Sequence, residues 1–132
     1  MLKKLVNLVP GISGTGVRTF ENGDACFAGH FPKKPILPGV LIIEALAQTA
    51  MAVLATADSG EPVADSGPKL GYLVKIDKAS FYQPIVPGDE VHFHIEIGKR
   101  IRGFVMVSGR VTRDGKDIGK AQLTLASETH VP

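Results

Sequence analysis

The most constraining feature of this chain is an apolar run of 18 residues, Val40 to Ala57, introduced by Pro38-Gly39. Pro38 is a good start signal for a helix, because its missing N–H would have had no intrahelical partner. The run approaches the length of a membrane span, but it contains Glu44 and Gln48, and a charge at mid-membrane depth costs several kcal/mol. The run therefore predicts a helix inside a globular core, ending near Thr56.

Antiparallel strands are predicted both before and after this helix in the sequence. Apolar and polar residues alternate from Val91 to Gly98, further strands are predicted over 70–81, 104–107 and 122–125, and turns over 98–103 and 114–115. Two weak apolar runs flank Pro10-Gly11 and predict a hairpin, whose second, glycine-rich run should be irregular or edge-like.

The economical arrangement of these elements wraps the sheet around the helix, because the helix is apolar nearly all round and each strand has one apolar face. The predicted fold class is α+β, with one long central helix wrapped by an antiparallel β-sheet. A chain of 132 residues favours a single domain over residues 1–132.

Charge and cysteine content exclude several classes of function. The net charge of +2 is too small to argue for a nucleic-acid partner, and a single cysteine, Cys26, excludes an internal disulfide and a multi-cysteine zinc site. The apolar stretch from Leu5 to Val9 is shorter than a secretory signal requires, which predicts a cytoplasmic protein outside the membrane.

Three residues around the helix start are candidates for chemistry. Glu44 lies one turn into an apolar helix, so it must be paired, hydrated or protonated, and Gln48 is placed to hydrogen-bond it; the alternative is a glutamate that faces solvent near the helix start. His30 suits proton abstraction near neutrality, and the alternative is an ordinary loop histidine. The Gly39 N–H, at the helix start, can hold a carbonyl oxygen that gains negative charge.

Two other groups of residues carry weaker signals. His92 and His94 share one face of a predicted strand, which suggests a metal, but a solvated strand face is preferred because the sequence positions no third ligand. Lys99, Arg100 and Arg102 crowd a predicted turn, either as a solvated hairpin end or as a surface for an acidic partner.

A family resemblance brings the candidate residues together. Residues 29–48 read GHFPKKPILPGVLIIEALAQ, and this stretch resembles the signature of FabZ-type (3R)-hydroxyacyl-acyl-carrier-protein dehydratases. The later stretches IDKASF (76–81) and PIVPGD (84–89) are similar to a second block of the same family. FabA-type enzymes, which also isomerise the double bond, resemble the chain at His30 but carry Asp where Glu44 stands, so isomerase activity is less expected.

The resemblance implies a hotdog fold and a dimer with shared active sites, often assembled further into hexamers as a trimer of dimers. It implies that His30 is the base, that Glu44 from the other subunit is the acid, that Gly39 polarises the thioester carbonyl and that Gln48 orients Glu44. Phe31, Val40 and Phe93 are expected to contact substrate, with Phe93 where some members place a gating tyrosine.

The implied reaction converts a 3-hydroxyacyl thioester, carried on the phosphopantetheine of an acyl carrier protein, into a trans-2-enoyl thioester. No metal and no redox cofactor are implied. Two alternatives stay open: a hotdog thioesterase, which would use the helix carboxylate to activate water, and a non-catalytic subunit that binds acyl carrier protein. A binding subunit has no reason to hold both His30 and Glu44.

Overall fold

The described chain consists of one helix packed against a six-stranded sheet. The structure, a computed structural model, describes residues 4–21, 36–56 and 70–127. Its elements are β1 (Lys4–Val9), β2 (Ser13–Thr19), α1 (Gly39–Ala55), β3 (Leu70–Phe81), β4 (Glu90–Ile101), β5 (Phe104–Arg113) and β6 (Lys116–Ser127). The sheet order is β1-β2-β4-β5-β6-β3, and every neighbouring pair is antiparallel. The predicted α+β architecture is confirmed.

Helix α1 begins and ends close to the predicted residues. Pro38 is the N-cap, in extended conformation, and its carbonyl accepts the N–H of Leu41 at 3.0 Å. At the other end Thr56 is buried, and its N–H and Oγ1 both donate to the Val53 carbonyl, at 3.1 and 2.7 Å. These bonds satisfy backbone groups that the last turn would otherwise leave open. In the described part of the chain, no helix is both long and apolar enough to cross a membrane.

The core lies between α1 and the inner face of the sheet. Leu46 of the helix is fully buried, and it meets the alternating apolar side chains of the central strands. On β4 these are Val91, Phe93 and Ile95, and on β5 they are Val105, Val107 and Val111. The predicted alternation on β4 therefore marks the helix-facing side of the sheet.

The prediction that the glycine-rich run is edge-like is wrong, and irregularity is found only in its pairing with β1, between Val6 and Val9. Strand β2 lies between β1 and β4, and its register with β4 is unbroken from Ser13 to Thr19. Glycine stands at position 14 because the helix approaches closely: a Cβ on Gly14 would lie 2.8 Å from Cγ2 of Val53. Glycine here makes room for α1 against an interior strand.

The hairpin between β4 and β5 turns later than predicted. Strand β4 continues to Ile101, and an irregularity in its register between Ile97 and Arg100 accommodates the residues expected to form the turn. The turn itself is Arg102-Gly103, both with positive φ, of 50° and 82°. Asp114-Gly115 has the same geometry, with φ of 54° and 76°, and here the predicted turn is confirmed. Two-residue loops with positive φ match the twist of a hairpin.

Candidate active site

Glu44 lies on the second turn of α1, on a face that the sheet does not cover. Its carboxylate is exposed in the single chain, and Oε1 accepts a hydrogen bond from Nε2 of Gln48 at 3.4 Å. The two residues are one helical turn apart, so their side chains meet on the same face. The predicted Gln48–Glu44 contact is therefore present, and the solvent-facing position weighed as an alternative for Glu44 is also observed.

An open groove of about 550 Å³ runs along this face of the helix. Its polar lining residues are Glu44 and Gln48, and the others are apolar: Val40, Ile43, Ala47, Met51, Leu73 and Ile76. A single carboxyl beside an apolar surface can exchange a proton with a substrate whose remaining atoms are hydrocarbon. The predicted contact residue Val40 lines this groove and is 74% exposed.

Most of the groove lining was not predicted as part of a site, although a signal for it exists in the sequence. The helical residues of the groove follow Val40 at spacings of 3, 4, 7, 8 and 11, which is one face of an α-helix. Glu44 and Gln48 fall on that face, so the same periodicity indicates their apolar neighbours. Leu73 and Ile76 of β3 complete the groove, and only the packing of β3 beside α1 reveals them.

Gly39 lies in a separate depression, at the start of the helix. This depression has a volume of about 320 Å³, and its lining includes Leu37, Ile42, Phe81 and Tyr82. A Cβ on Gly39 would stand 3.6 Å from the Phe81 ring, so any side chain here would enter the depression. The N–H of the first helical residue has no intrahelical acceptor, which suits a donor to a ligand carbonyl.

The structure does not bring Gly39 and Glu44 to one point within a single chain. They are five residues apart in α1, which places them about 140° apart around the helix and about 7.5 Å apart along it. Each accordingly lines its own depression.

The remaining predicted site residues are placed elsewhere. His30 and Phe31 lie outside the described residues. Phe93 is fully buried in the core, where its ring meets Phe20 edge-on at a centroid distance of 6.5 Å. It does not line the Glu44 groove, because β4 points this side chain under the helix. A direct contact between Phe93 and substrate stays a prediction, and one that its burial does not favour.

His92 and His94 occupy the polar outer face of the sheet. The His94 ring lies between two threonines, with Nδ1 at 3.0 Å from Oγ1 of Thr15 and Nε2 at 2.8 Å from Oγ1 of Thr112. His92 Nε2 lies 3.2 Å from Oε1 of Glu90. Burial lowers the pKa of His94 below its usual 6.5, the positive charges of Arg110 and His92 lower it further, and Asp117 opposes them. The strand face is therefore polar, as expected, but His94 is only partly solvated, because its ring lies between the buried residues Thr15 and Thr112.

Comparison with known proteins defines the class. The family model of the FabA-like domain matches residues 11–122. Among solved structures, the dehydratase heterocomplex ApeI:P from Xenorhabdus doucetiae superposes with a TM-score of 0.70 at 18% identity, over 96% of both chains. A hypothetical thioesterase with coenzyme A from Streptococcus pneumoniae TIGR4 gives 0.69 at 10% identity, over 94% of this chain and 84% of that one. These likenesses establish a FabA-like, hotdog-type domain.

The sequence relatives are more specific. The 3-hydroxyacyl-(acyl-carrier-protein) dehydratase FabZ of Actinobacillus pleuropneumoniae serotype 5b (strain L20) is 38% identical over 126 residues, which cover 96% of this chain and 79% of the relative. FabZ of Anaeromyxobacter sp. (strain Fw109-5) is 39% identical over 121 residues, 92% of this chain and 75% of the relative. The chain belongs to the FabZ dehydratase family, as its sequence predicted.

Proposed function

We propose that this protein is a hydro-lyase that converts (3R)-3-hydroxyacyl thioesters to trans-2-enoyl thioesters on acyl carrier protein, in fatty-acid or polyketide-like chain elongation. The observation that carries the proposal is the Glu44–Gln48 pair in an otherwise apolar groove, in a chain of the FabZ family. The acyl chain provides the hydrocarbon for the groove, and its 3-hydroxyl provides the leaving group for the carboxyl.

Within the acyl chain two σ bonds break, C2–H and C3–O, and one π bond forms between C2 and C3. His30 takes the proton from C2, and the electron pair of that C–H bond moves into a new C2–C3 double bond. The C3–O bond breaks as Glu44 gives its proton to the departing hydroxyl, which leaves as water. The Gly39 N–H stabilises the negative charge on the thioester oxygen while C2 loses its proton. In the reverse direction the same groups hydrate an enoyl thioester.

The first experiment follows the hydration of a short trans-2-enoyl thioester by loss of its conjugated absorbance, with mass spectrometry of the products. A 3-hydroxyacyl thioester with its thioester bond intact supports the proposal. His30→Ala and Glu44→Gln are each expected to lower kcat by at least about a hundredfold, because each removes a positioned proton-transfer group. Free thiol and acid as products would establish the thioesterase alternative, and near-normal turnover by His30→Ala would refute that base.

We further propose that the active unit is a dimer of this chain, joined through the free edge of β3. Among the residues that the structure describes, this strand ends the sheet, and the side chains of Leu73, Val74 and Ile76 are between 37% and 49% exposed on it. Apolar side chains on an unpaired strand favour pairing with another strand. A second copy would also supply a Gly39 to face the Glu44 of the first, because one chain directs these residues about 140° apart.

Mixing two inactive variants tests the shared site. His30→Ala and Glu44→Gln homodimers each lack one group at both sites, but a mixed dimer has one complete site and one site without either group. After unfolding and refolding a 1:1 mixture, about half the dimers are mixed, so about a quarter of the wild-type activity should return. Refolding either variant alone is the control. No recovery in a mixture that contains mixed dimers would place His30 and Glu44 of one site in the same chain.

Two finer expectations belong to this proposal. The exposed basic residues at the end of β4, Lys99, Arg100 and Arg102, are proposed to meet the acidic carrier protein; Arg100 also donates from Nη2 to the Gly11 carbonyl at 2.9 Å. Assembly into a trimer of dimers and a cytoplasmic location stay predictions, to be checked by sedimentation and cell fractionation.

A further inference from the structure

Arg113, the last residue of β5, is bound to a single turn formed by residues 83–89. Its Nη1 donates to the Pro84 carbonyl at 2.6 Å and to Oδ2 of Asp89 at 2.8 Å, and its Nη2 donates to Oε1 of Gln83 at 2.7 Å. The side chains of the ion pair are only 19% and 20% exposed. A partly buried guanidinium–carboxylate contact is less screened than a surface ion pair, and the two further hydrogen bonds of Arg113, to an amide oxygen and a backbone carbonyl, fix the direction of its guanidinium. Arg113 therefore fixes this turn against the end of β5.

Asp89 connects Arg113 to the inside of the turn. The same Oδ2 that accepts from Arg113 also accepts the N–H of Val86 at 3.0 Å, and the Asp89 N–H donates to the Val86 carbonyl at 3.2 Å. Between them stand Pro87 and Gly88, and the positive φ of Gly88, 94°, is what a type II turn requires at this position. The carboxylate thus determines the shape of the turn as well as its attachment.

This turn holds the chain at both ends of residues 22–35. On one side, the Phe20 N–H donates to the Asp89 carbonyl at 3.1 Å, and the Gly88 N–H donates to the Phe20 carbonyl. On the other side, the Leu37 N–H donates to the Ile85 carbonyl at 2.8 Å. Phe20, Leu37 and Ile85 are all buried, so these bonds attach the turn to residues of the core. Residues 22–35 carry His30, and Leu37 lies two residues before Gly39, the first residue of α1.

We propose that Arg113 is a positioning residue for the dehydratase reaction, acting through Asp89 and the 83–89 turn. It keeps Phe20 and Leu37, the two attachment points of the His30-bearing segment, at a fixed separation. It also keeps the start of α1 at a fixed position relative to them. A displacement of a reacting group by about 1 Å can lower the rate about a hundredfold. A contact that fixes the positions of Phe20 and Leu37 therefore affects turnover. This inference rests on the proposed function.

The test compares Arg113→Ala with Arg110→Ala in the hydration assay. Arg110 is a matched control on the same strand, since its Nη1 also pairs with an aspartate, Asp117, at 2.9 Å, but both side chains are more than half exposed. Arg113→Ala is expected to lower kcat by about tenfold or more with KM changed less than about twofold, because the groove itself is intact. Arg110→Ala should keep both constants within about twofold.

Three further variants separate positioning from general stability. Val107→Ala removes a core contact on the same strand, away from the turn, and it should keep kcat when its unfolding midpoint falls as far as that of Arg113→Ala. Asp89→Asn should lower kcat like Arg113→Ala, and the double variant should lose no more than the larger single loss, since both act through one contact. Arg113→Lys, which keeps the charge but not the fork, should recover part of kcat.

The outcomes separate this role from the proposed function. Normal kcat in a folded Arg113→Ala, additive losses in the double variant, or an equal kcat loss in Val107→Ala each overturn the positioning role. If Arg113→Ala does not fold, Asp89→Asn and Arg113→Lys carry the same comparison. An inactive wild-type protein rejects the proposed function and this role together, whereas an active wild type with unaffected turn variants rejects this role alone.

Discussion

His94 shows how a single side chain can make the stability of the fold depend on pH. His94 lies on β4, and its ring is held between the hydroxyls of Thr15 on β2 and Thr112 on β5. Its pKa is lowered from 6.5, first by burial and then by the charges of Arg110 and His92. The folded protein therefore favours the neutral ring, which donates through one nitrogen and accepts through the other.

We predict that the free energy of unfolding falls as the pH is lowered below about 6.5, the pKa of histidine in the unfolded chain. In that range the unfolded chain binds a proton that the folded chain does not, so acid favours unfolding. Above that range the stabilising contribution of the neutral His94 ring is present in full. Urea denaturation at a series of pH values from 7.5 to 5 measures this. His94→Gln, which keeps hydrogen-bonding groups but does not titrate, should flatten the curve, and parallel curves would contradict the prediction.

Residue patterns predicted part of the site and not the rest. The spacing of Glu44 and Gln48 on one helix was enough to predict their contact, because helical geometry is local. Phe93 shows the opposite case: strict alternation with Val91 and Ile95 indicates a core position, where the structure places it, while the resemblance to gated family members indicated a substrate contact. Which face of a strand looks into a site depends on tertiary packing, and the sequence does not contain that directly.

At the scale of elements, the close approach of α1 to β2 depends on Gly14. We predict that Gly14→Ala lowers the free energy of unfolding by about 1–3 kcal/mol, because its Cβ would stand 2.8 Å from Cγ2 of the fully buried Val53. The same substitution in a Val53→Ala background should cost clearly less, since the clashing methyl is gone. Denaturant unfolding of the four proteins measures the coupling, and equal losses in both backgrounds would show that the contact is not the cause.

Most elements could be predicted from local signals, although β5 and β6 are longer than the predicted 104–107 and 122–125. The two errors at glycine positions have one physical origin. Helix α1 follows from Pro38 and a long apolar run, and β3 has the predicted bounds of 70–81. Glycine in β2 and Gly98 in β4 were interpreted as breaks, yet both positions lie inside strands. A glycine in a strand weakens it only when nothing else uses the missing side chain; Gly14 gives space to a helix, and Gly98 lies beside the Met106 carbonyl.

At the scale of the whole molecule, the described part of one chain places Glu44 and Gly39 in two separate depressions rather than in one. The Glu44 groove and the Gly39 depression open on different sides of α1, and each is shallow in the single chain. The sequence predicted the chemistry of these residues from their types and neighbours. It did not determine their relative directions, which follow from the number of residues between them and the helical repeat.

If the proposed dimer forms through the edge of β3, turnover also becomes sensitive to dilution. The strand carries charges among its apolar residues, with Lys75 Nζ 2.9 Å from Oδ1 of Asp77, and charges on an edge discourage indiscriminate pairing while leaving room for one specific neighbour. If complete sites exist only where two chains meet, mass action governs how many there are. Turnover per chain would then be constant at high concentration and fall in proportion to concentration once most chains are single, so the amount of protein that a cell makes would set the efficiency of each molecule as well as their number.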